Sequence, residues 1–137
     1  MLIREIMTEE VETVSPEATA EEAFRLIYEG DFRHLPVVSA GNELLGILSE
    51  RDLREQVLPA LLEMELPEAR EEAMARSVSE LMQGDTLTVH PDDDVDQAIE
   101  LMLEHRVGAV PVVHPDTGEL MGIVSYVDVL RAARELF

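Results

Sequence analysis

The chain has 137 residues, 46% of them hydrophobic, with 30 acidic against 10 basic side chains and a net charge of −20. A chain of this length forms one compact domain or two small repeats sharing a core, and a surface so negative repels nucleic acid and anionic lipid. The lack of cysteine excludes disulfides and thiolate metal sites and suits a cytoplasmic protein. No apolar run reaches the roughly 18 residues of a membrane helix, and the N-terminus lacks a signal-type apolar stretch.

In chain order, Glu12 to Pro16 reads as a short extended piece ending at proline. Thr19 to Glu29 reads as a helix, with Ala23, Leu26 and Ile27 on one face, Glu21, Glu22 and Glu29 outside, and Gly30 as the stop. His34 to Val38 is a β-rich run, Ala40-Gly41-Asn42 a turn and Leu44 to Leu48 a second apolar strand. Ser49 opens a second helix carrying Leu53 and Val57.

Residues 58–76 follow as a helical connecting strap with Glu68 to Ala75 helical, and its Leu58, Leu61, Leu62, Met64 and Leu66 are expected to be buried. The same order then returns. Val89-His90-Pro91 is extended, and Asp94 caps a helix with Val95, Ala98, Ile99 and Met102 on one face. Val110 to Val113 is a strand, His114 to Gly118 a turn one residue longer than its partner, Leu120 to Val124 a strand, and Ser125 the start of the last helix.

The return is a tandem repeat. Met7 maps to Met82, Pro16 to Pro91, Ala23 to Ala98 and Pro36 to Pro111, each 75 positions apart, and Gly46 maps to Gly122, Ser49 to Ser125 and Asp52 to Asp128, each 76 apart. Residues 1–57 and 77–137 are therefore two β-α-β-β-α repeats of an α+β fold. Each is near the size at which a lone domain is marginal, so the two are expected to pack pseudo-symmetrically.

The sharpest local signal is Gly46-Ile47-Leu48-Ser49-Glu50-Arg51-Asp52 and its copy Gly122-Ile123-Val124-Ser125-Tyr126-Val127-Asp128. Such a strand-to-helix turn leaves helix N–H groups free to hold an anion. The serine can add a hydrogen bond to phosphate, and the aspartate can accept from ribose hydroxyls. The same residues also spell a helix capping box, which needs no ligand. Both readings stand at this point.

The whole pattern resembles the cystathionine-β-synthase-type domain, the CBS domain, as a tandem pair. The resemblance covers about Leu2 to Gln56 and Val78 to Glu135 and rests on Arg4-Glu5-Ile6-Met7-Thr8 and Val78-Ser79-Glu80-Leu81-Met82 at the starts, then T-V-x-P, then L-P-V-V or V-P-V-V, then G-h-h-S-x-x-D. It implies two clefts, each able to bind an adenosine-containing regulatory ligand such as AMP, ADP, ATP or S-adenosylmethionine. Asp52 and Asp128 would hold ribose, and Ser49 and Ser125 would face phosphate. Thr13, Val14, Ser15, His34, Leu35 and Pro36 would line the base in one cleft, and Thr88, His90, Val110 and Pro111 in the other. It further implies a homodimer formed through the helices bearing Phe24, Ile27, Tyr28, Ile99, Met102 and Leu103, and signalling to an effector protein.

The clefts are not expected to be equal. Arg33, His34 and Arg51 of the first repeat correspond to the neutral Gly108, Ala109 and Val127 of the second, so phosphate should favour the first, with Arg33 and Arg51 as its cations. The alternative for both arginines is pairing with the abundant carboxylates. The histidines show no metal-binding spacing, and neither G-x-S-x-G nor a phosphate-loop lysine motif is present. The expectation is therefore a stand-alone regulatory module rather than an enzyme, with no metal, membrane or nucleic-acid partner. A ligand-free interaction protein is the competing reading.

Overall fold

A computed structural model describes residues 1–30, 32–63 and 67–137. Its elements in chain order are a short 3-10 turn Ile3–Glu5, α1 Ala20–Gly30, β1 His34–Val38, β2 Leu44–Ser49, α2 Glu50–Gln56, α3 Leu58–Glu63, α4 Pro67–Met74, α5 Val78–Leu81, α6 Val95–His105, β3 Ala109–Val113, β4 Leu120–Ser125 and α7 Tyr126–Arg134. The expected order is present, with one reduction. The first extended piece of each repeat contributes a single bridging residue, Val14 parallel to Val37 and Val89 parallel to Val112. Pro16 and Pro91 stand just beyond and have no N–H to extend the ladder.

The chain divides into two compact units, and neither coincides with a sequence repeat. One comprises Met1–Val11, Gly41–Leu44 and Asp85–Phe137, and the other Glu12–Ala40 and Leu45–Gly84. The opening segment of each repeat has joined the body of the other.

In the second of these units, β1 and β2 form a hairpin sheet. Gln83 bridges the far side of β2 at Ile47, with Ile47 N to Gln83 O at 3.0 Å and Gln83 N to Ile47 O at 2.9 Å. The core gathers Val14, Ala20, Ala23, Ile27, Leu35, Val37, Leu48, Leu53, Val57, Val78 and Leu81. α1 buries the 3.6-residue stripe Ala20, Ala23 and Ile27. Thr19 caps it reciprocally, since Glu22 N donates to Thr19 Oγ1 at 3.2 Å and Thr19 N to Glu22 Oε2 at 3.3 Å. The strap belongs to this unit. Leu61, Ala73 and Met74 pack into its core, but Leu62 is 77% exposed. That corrects the expected burial: α3 is six residues long and turns only part of its leucine set inward. Met64 and Leu66 lie outside the described residues.

The other unit repeats the plan. β3 pairs antiparallel with β4, Ala109 opposite Ser125 and Pro111 opposite Ile123. The register shifts where Val112 faces Gly122 and Val113 faces Leu120, so Met121 has no partner of its own. Thr8 bridges the far side of β4 at Ile123 through hydrogen bonds of 2.8 and 2.9 Å. Leu120 N donates to Asn42 O and Leu44 N to Gly118 O, tying Gly41–Leu44 to the β3–β4 turn. The core holds Ile3, Val89, Val95, Ala98, Val110, Val112 and Val124. α6 starts at the Asp94 cap and ends on Arg106 in the left-handed conformation, φ 55°. Among the described residues no helix is long and apolar enough to cross a membrane.

Candidate functional site

Ser49 and Ser125 sit where β2 and β4 run into α2 and α7, and both are N-caps. At the first, Ser49 N donates to Asp52 Oδ2 at 2.8 Å, Ser49 Oγ donates to the same oxygen at 2.9 Å, and Asp52 N donates to Ser49 Oγ at 3.1 Å. At the second the three contacts are 2.9, 3.1 and 3.2 Å between Ser125 and Asp128. Both are full capping boxes with aspartate in the acidic place.

These caps correct the expectation of free helix N–H groups at the first and third helical positions of each turn. Glu50 N donates to Arg33 O and Tyr126 N to Gly108 O, each at 2.9 Å, and the amides of Asp52 and Asp128 are taken by serine. A phosphate approaching Ser49 must replace the Asp52 carboxylate as the acceptor of the serine hydroxyl.

Asp52 and Asp128 are the two buried charged residues among those described, 6% and 8% exposed. In each, Oδ2 is committed to the cap. Among the described residues Oδ1 receives one long contact, from Gln83 Nε2 at 3.4 Å on Asp52 and from Thr8 Oγ1 at 3.3 Å on Asp128. Buried carboxylate oxygens normally accept more than that. Spare acceptor capacity therefore remains at both positions.

Neither Thr8 nor Gln83 is among the site residues expected from the sequence. They are equivalent positions 75 residues apart, following Met7 and Met82, and each serves the aspartate of the other repeat. The signal was the glycine of G-h-h-S-x-x-D. A Cβ on Gly46 would stand 2.6 Å from Gln83 O, and one on Gly122 2.6 Å from Thr8 O. Glycine admits the crossing backbone.

The residues expected to line a base divide by burial. Leu35 and Val110 are fully buried core side chains, so they can offer a ligand backbone groups alone. Pro36 and Pro111 are buried beside them. Their carbonyls already accept, Pro36 O from Val14 N and Pro111 O from Val89 N, each at 3.1 Å. Thr13 is half-buried, and Thr88 and Ser15 are exposed. The Ser15 hydroxyl is engaged with Glu17, and His90 N donates to Asp93 Oδ2 at 2.8 Å.

The first site carries the cations. Arg33 Nη1 lies 3.9 Å from Glu50 Oε2, and Glu50 also holds Arg54 at 3.1 Å. Arg51 is exposed and pairs with no carboxylate among the described residues. His34 is half-buried, and burial holds its pKa below the usual 6.5; Asp52 pulls it back up and Arg33 pushes it down. It is thus neutral near pH 7 rather than a third cation. At the second site a cavity of about 240 Å³ opens beside Asp128, lined by Met1, Glu5 and Ile6 from the N-terminal segment and by Arg131, Ala132 and Glu135 along α7. Among the described residues no cluster of three metal-ligating side chains occurs.

Comparison with known proteins adds to this geometry. The chain is 37% identical over 133 residues to a 33.4 kDa protein from a ribosomal RNA operon of Thermofilum pendens, covering 93% of this chain and 42% of that one. It is 30% identical to an inosine-5'-monophosphate dehydrogenase of Methanocaldococcus jannaschii, of which it covers 22%. The chain thus spans less than half the length of these curated relatives. Among solved structures, CBSX2 in complex with AMP superposes with TM-score 0.83 at 27% identity, covering 98% of this chain and 97% of that one. The CBS domain pair of protein MJ0100 in complex with 5-methylthioadenosine and S-adenosyl-L-methionine superposes with TM-score 0.79 at 25% identity, covering 97% and 99%. The CBS domain profile matches residues 3–59 and 78–135. With two matches that leave out little beyond the strap, the chain belongs to the CBS domain family, as a tandem α+β pair.

Proposed function

We propose that the chain is a regulatory module that binds an adenosine-containing ligand on Asp52 and Asp128 and passes the binding event to a partner protein. The observation that carries this reading is the pair of buried carboxylates, each with an Oδ1 short of donors. A ribose diol supplies two donors on adjacent carbons. Burial without enough donors is costly for a carboxylate, and a ligand hydroxyl offsets that cost. The AMP complex of CBSX2 and the methylthioadenosine and S-adenosylmethionine complex of MJ0100 support the ligand class.

At the Asp52 site the ligand is a phosphorylated nucleotide, AMP, ADP or ATP, with Arg33 and Arg51 as the phosphate cations. The Arg33–Glu50 contact is long and its arginine is exposed, so breaking it costs on the order of 0–1 kcal/mol. Leu103, 75% exposed on α6, and Leu130, 62% exposed on α7, offer apolar surface for a homodimer or an effector protein.

The test is a thermal-shift panel with AMP, ADP, ATP and S-adenosylmethionine on the wild-type chain and on Asp52→Ala. Ligand stabilisation follows mass action. An AMP-dependent rise in Tm that disappears in Asp52→Ala is expected. A competing reading, an interaction protein with caps and no ligand, is favoured by the complete capping boxes; it predicts no shift with any of the four compounds.

A further inference from the structure

We infer that the side chains of Gln83 and Thr8 are displaceable latches. Each holds the aspartate of its turn in the unliganded chain and is evicted when a ribose diol arrives. The inference rests on the proposed reading of Asp52 and Asp128 as ribose acceptors, and it adds how those sites are regulated.

The argument is a count of acceptor positions. An ionised carboxylate offers about four lone-pair positions. At Asp52, Oδ2 takes two donors, Ser49 N at 2.8 Å and Ser49 Oγ at 2.9 Å, and Oδ1 takes a third, Gln83 Nε2 at 3.4 Å. At Asp128 the same three places go to Ser125 N at 2.9 Å, Ser125 Oγ at 3.1 Å and Thr8 Oγ1 at 3.3 Å. Among the contacts of the described residues, each aspartate thus keeps one position open. A single ligand hydroxyl fills it. A ribose diol brings two hydroxyls, so one of the three resident donors must leave.

The geometry selects which donor leaves. The backbone N–H is fixed by the strand-to-helix turn. The serine hydroxyl is held from both sides, because it donates to Oδ2 and accepts from the aspartate N–H at 3.1 Å in one turn and 3.2 Å in the other. The third donor is the loose one. Its distance lies beyond the usual range for N–H···O and for O–H···O bonds. Gln83 and Thr8 are both exposed, so an evicted side chain passes into water and keeps its hydrogen bonding. Their backbones stay bridged to Ile47 and Ile123. Ribose occupancy therefore frees one polar side chain on the opening segment of the other repeat. The same competition lowers affinity for a ribose, with its two hydroxyls, and spares a 2'-deoxyribose, which brings only one.

Isothermal titration of the intact chain with adenosine and 2'-deoxyadenosine tests this, in the wild type and in the variant carrying both Gln83→Ala and Thr8→Val. Nucleosides are the probes because a phosphate can draw the serine hydroxyl off Oδ2 and open a position there. The variant is expected to bind adenosine about two- to fivefold more tightly than the wild type, the net worth of one weak hydrogen bond, and 2'-deoxyadenosine with unchanged affinity. Circular dichroism melts should show the variant folded, since both substitutions are at exposed positions and leave the bridging backbone in place. Adenosine binding that is unchanged or weaker in the variant overturns the latch, and so does an equal gain for both nucleosides; either result leaves the adenosine reading in place. Absence of binding by adenosine and AMP alike in the wild type overturns the adenosine reading and the latch together.

Discussion

The side-chain amide of Gln83 donates to Asp52 Oδ1 at 3.4 Å, across 31 positions of sequence. Thr8 does the same for Asp128 at 3.3 Å, across 120 positions. Each aspartate is therefore held by the opening segment of the other repeat. Under the proposed function, a ligand on Oδ1 would act directly on that crossing segment, which is bridged to the backbone at Ile47 or Ile123.

The crossing makes Gly46 and Gly122 intolerant of a side chain. In Gly46→Ala the new Cβ would meet Gln83 O at 2.6 Å and Met82 Sδ at 2.7 Å. Backbone cannot yield as a side-chain tip does, so the expected loss is about 1–3 kcal/mol, the usual cost of overpacking. Urea denaturation measures it. Gly84→Ala is the control, since nothing lies within 4 Å of its Cβ position, and it should change stability by less than about 1 kcal/mol.

The serine caps contribute to stability whether or not a ligand binds. Ser49→Ala and Ser125→Ala each leave a helix amide without its acceptor and remove one of the two donors on the aspartate Oδ2, the backbone N–H remaining. Each should cost about 0.5–2 kcal/mol in chemical denaturation. Equal losses at the two positions are expected, because the two caps have nearly the same geometry.

Phosphate recognition should be separable from nucleoside recognition. Arg51→Ala should weaken AMP binding by about tenfold, the size of one charge-assisted hydrogen bond, and leave adenosine binding unchanged. Calorimetry with both compounds reads the difference. A parallel loss for adenosine would place Arg51 away from the phosphate.

His34 gives the site a pH dependence of defined sign. Burial keeps its folded pKa below 6.5, with Asp52 opposing and Arg33 assisting. Between 6.5 and that lower value the unfolded chain binds a proton that the folded chain does not, so stability falls as pH drops through this window. His34→Gln should flatten the urea midpoint over that range. A bound phosphate would draw the proton back onto His34, so AMP affinity should rise on acidification in the wild type and not in His34→Gln.

Helices and strands were readable where burial follows a local period. The Ala23–Ile27 stripe of α1, the run His34–Val38 and the Asp94 cap stand where their patterns place them, because each depends on neighbours a few residues away. The strap was harder. Leu58, Leu61 and Leu62 are alike in composition, yet Leu61 packs inward and Leu62 faces solvent, a choice made by the direction in which a six-residue helix docks. The role of the Ser-Asp turn was legible only as two alternatives, since a capping box and a ligand site use the same residue types.

By itself, the sequence determined the tandem repeat, the α+β element order, the family and the two Ser-x-x-Asp turns, all of which rest on local spacing and on self-similarity along the chain. Only the tertiary structure decided that residues 1–11 join the second repeat and that Gln83 reaches Asp52. It also engaged the first and third helix amides of each turn, lowered the pKa of His34 by burial, and set Arg131 and Glu135 beside Asp128 in a cavity. The physical reason is range: capping and periodicity act over three or four residues, whereas burial, hydrogen-bond satisfaction and cavity shape depend on segments that meet only when the chain has folded.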